Sequence, residues 1–209
     1  MLAAGDARIH LQERGYGNVN IKICAYYTPS YLDEILGLRA TASELNLRVH
    51  ELPVHEMTWA QAVMMKPQFI LDRLESIEDA YDGLLYTDAD SRFRKVPDWG
   101  RFKGIDFACH IFRRSRVCEP EMLTGTMYFG RGQSVLPFIR EWIELTEQFA
   151  AADTPEQKSL AIAFGRWKHR LIFSDIGCEN VFITDDFRVI YPGVSPVIEH
   201  MQASRTRRK

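Results

Sequence analysis

Gly83-Leu84-Leu85-Tyr86-Thr87-Asp88-Ala89-Asp90 decides the reading of this chain. Five residues without a charge read as a short buried strand, and that strand runs straight into two aspartates two positions apart. Two carboxylates held close together repel unless a cation or hydrogen-bond donors lie between them. A divalent metal is the natural partner, and hard oxygen ligands favour Mg²⁺ or Mn²⁺. A metal held there clamps a diphosphate and stabilises charge on a leaving group. The bland alternative is a solvated turn, since Asp and Ser are turn formers.

The flanking sequence sets the context. Ile21–Tyr27 reads as a buried strand, and Thr28-Pro29-Ser30 opens a helix because proline suits a first turn. Tyr31, Ile35, Leu38, Ala42 and Leu45 follow at helical spacing. Leu47–Leu52 reads as a second strand. A helix starts near Trp59, and Pro67 starts or kinks another whose inner face carries Ile70, Leu74 and Ile77. Beyond the aspartates, Ile105–Phe112 and Met127–Gly130 read as strands, and Pro137–Ala150 as an amphipathic helix with Phe138, Trp142, Leu145 and Phe149 in register. Phe187–Tyr191 reads as a late strand. Strands alternating with helices imply an α/β architecture with a mostly parallel sheet. Ligands of such sheets bind beyond the carboxyl ends of the strands, where Asp88 and Asp90 stand.

At 209 residues the chain has room for one domain, expected over 20–205, with a loose arm at 1–19 and a basic tail at 206–209. The hydrophobic fraction of 46% is enough for a real core and excludes wholesale disorder. No apolar run approaches the ~20 residues that span a bilayer. The formal net charge of −2 excludes a global field for nucleic acid, although Arg205, Arg207, Arg208 and Lys209 crowd the last five positions. Cys24, Cys109, Cys118 and Cys178 form no C-x-x-C pair, and Cys24, Cys109 and Cys178, which lie among apolar residues, read as buried. Without a secretory signal pattern or a disulfide pattern, a cytoplasmic location is expected.

Lys66-Pro67-Gln68-Phe69-Ile70, Leu74 and then Gly83–Asp90 resemble the core of the GT-A glycosyltransferases, in particular the nucleotide-diphospho-sugar transferases. In that group a Lys-bearing helix precedes the strand that delivers a D-x-D. Leu123-Thr124-Gly125-Thr126-Met127-Tyr128-Phe129 is similar to the family's small-residue turn plus strand, followed by a helix bearing Trp142. Ile198-Glu199-His200-Met201-Gln202-Ala203-Ser204-Arg205 resembles its C-terminal segment, in which a His completes the metal site.

The resemblance spans roughly Ile21–Arg205 and implies a GT-A-like, Rossmann-like sheet flanked by helices. It implies a metal-dependent transferase that moves a sugar from a nucleoside diphosphate, a UDP-sugar as first choice, to an acceptor hydroxyl. Asp88 and Asp90, with Ala89 between them, would hold Mn²⁺ or Mg²⁺ and the donor, and His200 would be the third protein ligand. Arg205 would neutralise a donor phosphate, and Lys66 would do so or brace Asp88. Tyr27 and Thr28 would face the nucleobase, and Gly125 and Thr126 the transferred sugar. Glu156, Gln157, Asp175 and Glu179 are acceptor-side candidates for the catalytic step, Glu156-Gln157 standing where some relatives carry Asp-Gln. The motifs look more like the retaining side of the superfamily. The acceptor would meet the loops Val96–Gly104 and Arg113–Thr124, the latter with Arg113, Arg114 and Arg116.

Three other readings compete. A haloacid-dehalogenase-like phosphatase also carries a D-x-D after an apolar strand, but on its first strand and without an arginine at the position of Arg92. A nucleotidyltransferase would show a Gly-rich loop where Tyr27-Thr28-Pro29-Ser30 has none, and no P-loop signature occurs. A nucleic-acid-binding module would use the basic tail, but the aromatic residues are not interleaved with Lys and Arg. The tail instead suggests an anionic acceptor such as the hydroxymethylated DNA used by small phage-type glycosyltransferases.

Overall fold

The computed structural model of the chain describes residues 19–114, 119–152 and 154–203. The N-terminal arm up to residue 18, Arg116, Cys118, Arg205 and the 206–209 tail lie outside the described residues.

A six-stranded sheet forms the centre. Its strands are β1 (Ile21–Tyr27), β2 (Val49–Pro53), β3 (Gly83–Thr87), β5 (Phe107–Phe112), β6 (Glu121–Gly130) and β7 (Phe173–Asp175), in the order β2-β1-β3-β6-β5-β7. The pairs β1–β2, β1–β3 and β5–β7 are parallel, whereas β6 runs antiparallel to both β3 and β5. Every strand except β6 therefore points the same way, and all their carboxyl ends share one edge. A small second sheet, β4 (Ser91–Phe93), β9 (Ile198–His200) and β8 (Phe182–Ile183), stands beside that edge. It brings the end of the chain back to the residues that follow β3, pairing Ser91 with His200.

Helices cover both faces. α2 (Trp59–Glu75), α3 (Val135–Gln148) and α4 (Pro155–Trp167) pack one side, where Phe69, Ile70, Phe138, Trp142 and Leu160 meet Leu84, Tyr86, Phe107 and Phe129. α1 (Leu32–Glu44) covers the other with Ile35, Leu38 and Ala42, the apolar stripe read from the sequence. Burying such side chains stabilises by ~1.5–3 kcal/mol each, so these two layers dominate the energetics.

Four local readings change. Pro67 does not start a helix: α2 opens at a Thr58–Gln61 capping box and runs through Pro67. An internal proline costs roughly 3 kcal/mol. Here the buried Val63, Phe69, Ile70 and Leu74 on the same helix offset it. Phe187–Tyr191 is not a strand but the end of α5 (Thr184–Ile190) and the residue after it. A short apolar run is ambiguous between the two periods, and Asp185 and Asp186 suit a helical first turn. Phe187 is wholly buried while Val189 is 81% exposed. The small-residue turn expected before Met127, together with the last part of the 113–124 loop, is strand: β6 starts at Glu121. Cys178 is half-buried, whereas Cys24 and Cys109 are in the core.

β6 is irregular at one place. Cys109 pairs with Met127, but the next residue, His110, pairs with Leu123. Thr124, Gly125 and Thr126 thus have no partners on β5, and the irregularity falls beside the end of β3, where Thr126 pairs with Thr87. Bulges of this kind re-aim side chains next to functional sites.

Candidate metal and nucleotide site

β3 delivers Asp88 to the carboxyl edge, and the turn that follows places Asp90 beside it, with the Ser91 amide donating to the Asp88 carbonyl. β9 delivers His200 through its pairing with Ser91. One ligand-competent atom from each of Asp88, Asp90 and His200 lies within 4.8 Å of the others, the one such group among the described residues.

Asp88 and Asp90 each spend one oxygen on being held and keep the other near the common space, and both ring nitrogens of His200 meet hydroxyls. Asp88 Oδ1 accepts from the Tyr86 hydroxyl at 2.6 Å and lies 3.0 Å from Lys66 Nζ. Its Oδ2 faces Gly125, at 3.4 Å from where a Cβ on that glycine would sit. Asp90 Oδ2 accepts from the Ala203 amide at 2.9 Å, leaving Oδ1 at 3.9 Å from His200 Nδ1. His200 Nε2 lies 2.9 Å from the Thr126 hydroxyl.

The electrostatics follow from this crowding. Burial first, and the neighbouring Asp88 charge second, push the Asp90 carboxyl above its ordinary range, against the pull of His200, the Ala203 amide and Lys66. Burial likewise lowers the His200 imidazole, against the pull of Asp90 and Asp88. Lys66 is 3% exposed and is shared between Asp88 and the Thr124 carbonyl and hydroxyl, each at 3.3 Å. The Thr124 hydroxyl in turn donates to Glu156, which is buried at the start of α4. Asp88, Asp90 and Glu156 thus lie around one ammonium, which touches Asp88 directly and Glu156 only through Thr124; a divalent cation would offset the remaining negative charge.

The residues fit such an ion. Two carboxylates and an imidazole are a donor set for Mn²⁺ or Mg²⁺. Gly125 leaves the space: a Cβ there would lie 2.8 Å from His200 Cε1 and 3.1 Å from Nδ1, where the ring and the Asp88 carboxylate converge.

A cleft of about 540 Å³ opens beside this group. Tyr27, Thr28, Tyr31, Met57 and Trp59 line its far end and Lys66, Asp88 and Asp90 its near end. An aromatic-rich end next to an acidic, cation-ready end matches a molecule with a flat ring and a phosphate group. Tyr27, Thr28, Lys66 and Ala89, expected at the donor, all line the cleft.

The other expected residues are placed as follows. Gly125 and Thr126 stand on the bulge, with Thr126 wholly buried against His200 rather than open to the cleft. Glu156 is 4% exposed and reaches the site through Thr124 and Lys66, while Gln157 is half-buried on the first turn of α4. Asp175 ends β7 at the same edge, bonded to His110 Nδ1 at 2.9 Å. Glu179 faces Arg101 at 3.3 Å. Sequence reasoning missed Thr87, Ser91 and Thr124, hydroxyls that support the ligands. Ser91 follows the D-A-D directly, and Thr124 and Thr126 alternate about Gly125, which was the available signal.

No protein-family model matches the chain, and no curated protein matches it. Among solved structures, it is similar to the crystal structure of a glycosyltransferase involved in the glycosylation of the major capsid of PBCV-1. The TM-score is 0.68 at 14% identity, over 90% of this chain and 97% of that one. At that identity the likeness shows a shared fold, a glycosyltransferase-like Rossmann sheet. Among the described residues no helix is long and apolar enough to cross a membrane.

Proposed function

We propose that this chain is a metal-dependent glycosyltransferase that binds a nucleoside-diphosphate sugar in the cleft and passes the sugar to an acceptor hydroxyl. One observation carries the reading: Asp88, Asp90 and His200 converge at the carboxyl edge beside an aromatic-lined cleft. The fold shared with a glycosyltransferase supports it.

In this reading Asp88, Asp90 and His200 hold Mn²⁺ or Mg²⁺, whose chemistry when bound is to neutralise a diphosphate and stabilise it as a leaving group. Lys66 fixes Asp88, and its buried charge adds to the stabilisation of a leaving phosphate. Tyr27 and Thr28 receive the base, with UDP as the first choice of nucleotide. The absence of a side chain at Gly125 lets the donor approach the backbone. Asp175, Gln157 and Glu179 are the acceptor-side candidates, Asp175 already held ionised. Transfer with retention is the working stereochemistry, since charge stabilisation at the leaving group then needs no strong general base. Arg113 and Arg114 would favour an anionic acceptor, with Arg205 and the basic tail adding charge, and the proposed setting is the cytoplasm.

The test is a thermal-shift panel of UDP, GDP, CDP, dTDP and ADP, each with Mn²⁺, Mg²⁺ or EDTA. A ligand that binds only the native state raises the melting temperature by mass action. A shift with one nucleotide that requires metal supports the reading and names the base. No shift with any of them removes the donor site, and hydrolysis of a generic phosphate ester then tests the phosphatase reading.

A further inference from the structure

Behind the Asp88–Asp90–His200 group lies a closed loop of buried polar side chains. His200 Nε2 is 2.9 Å from Thr126 Oγ1, and Thr126 Oγ1 is 3.4 Å from Thr87 Oγ1. The Thr87 hydroxyl donates to Ser91 Oγ at 2.7 Å, and Ser91 Oγ is 3.3 Å from His200 Nδ1. Thr87, Ser91 and Thr126 are wholly buried, and His200 is 3% exposed. Buried polar groups must satisfy one another when water is absent.

The direction of one bond orders the rest. Ser91 Oγ already accepts the Thr87 proton, so its own proton is free for His200 Nδ1, which then has no hydrogen of its own. A neutral imidazole carries one proton, so it is on Nε2 and goes to the Thr126 oxygen. Thr126 then donates on to Thr87, and every hydroxyl in the loop donates once and accepts once. Nδ1 is also the nitrogen nearer Asp90 and close to the space left by Gly125.

We infer that Thr126, Thr87 and Ser91 are positioning residues that hold His200 in its Nε2–H tautomer and keep its unprotonated Nδ1 on the Asp90 side, engaged only by the 3.3 Å bond from Ser91. This deepens the metal reading and rests on it for its consequence, but not for its test. Partners that orient a ligating imidazole in this way typically matter 10–100-fold in metal affinity. The long 3.3 Å bond from Ser91 is the one the incoming ion displaces at least cost.

The experiment is long-range ¹H–¹⁵N correlation on ¹⁵N-histidine-labelled protein in mildly alkaline buffer, with His200 assigned by comparison with His200→Gln. The expected wild-type spectrum shows His200 as Nε2–H, and the Nδ1–H tautomer would overturn the proposal. Thr126→Val keeps the shape and removes the hydroxyl. It should redistribute the tautomers and weaken Mn²⁺ binding, read by the free-ion paramagnetic resonance signal, about tenfold. Thr126→Ser should restore both. A Thr126→Val protein with wild-type tautomer and affinity would also overturn it. A wild-type chain with the Nε2–H tautomer but no Mn²⁺ binding supports the loop and removes the metal reading instead.

Discussion

Two buried histidines stand on the same edge of the sheet, and they are arranged oppositely. His200 lies beside two carboxylates that each keep an oxygen turned toward it, and both of its ring nitrogens have hydroxyl neighbours. His110, on β5, is 8% exposed and meets one carboxylate, Asp175, while its buried Nε2 has no partner among the described residues and its ring lies edge-on to Phe187. Asp175 also accepts from the Gly177 and Ile111 amides. Burial works against its ionisation, but these three donors outweigh burial and hold the carboxyl below its ordinary value. Asp90 is pushed the other way. A carboxylate saturated by donors has no use for a cation, whereas two carboxylates with inward-facing oxygens and one lone pair ask for one. The contrast separates a built-in hydrogen-bond pair from a cation site more sharply than residue types do.

Removing the charge at the first site should have the largest effect. Asp90→Asn keeps an acceptor for the Ala203 amide and should abolish the metal-dependent nucleotide shift without lowering the ligand-free melting temperature. An unchanged shift would erase the difference between the two histidine regions. Gly125→Ala comes next: its Cβ enters the space between His200 and Asp88, so Mn²⁺ affinity should fall by more than tenfold. Equal affinity in a titration would show that the ion does not sit there.

Lys66→Met should cost about 2 kcal/mol in urea unfolding, since it strands Asp88 and removes the ammonium that reaches Glu156 through Thr124, with Asp88 discounted because its side chain is one-third exposed. Adding Glu156→Gln should recover part of that loss, and no recovery would deny that the two share one charge. The smallest effect belongs to His110→Phe, within about 1 kcal/mol near neutral pH. A carboxyl whose folded pKa is depressed stabilises above its unfolded pKa, and that stability is lost as pH falls through the folded value. Stability against pH below about 4 should therefore decline less steeply in His110→Phe than in wild type.

The fold and the Asp88–Asp90–His200 group were legible in different ways. β1, β3, α1 and α3 carry periodicities strong enough to read directly, and the D-A-D after a charge-free strand announces itself. His200 was legible only through a family resemblance, because 109 positions separate it from Ser91 in the chain. Phe187–Tyr191 closes a helix rather than forming a strand: five apolar-leaning residues satisfy either period, and the buried Phe187 together with Asp185 and Asp186 in the first turn favours the helix. The resemblance implies that Thr126 faces the sugar, and the structure sets its hydroxyl 2.9 Å from His200 Nε2, because β6 pairs it with Thr87 at the end of β3.

By itself, then, the sequence determined the strand–helix alternation, the apolar faces and the acidic pair at a strand end, since these follow from local periodicity and side-chain chemistry. Only the tertiary structure decided which hydroxyls back His200, that Glu156 is buried behind Lys66, and that Asp175 is already saturated. Those facts depend on strand register and on the bulge in β6, where long-range pairing across three strands sets each side chain's neighbours. No local pattern in the chain encodes that register.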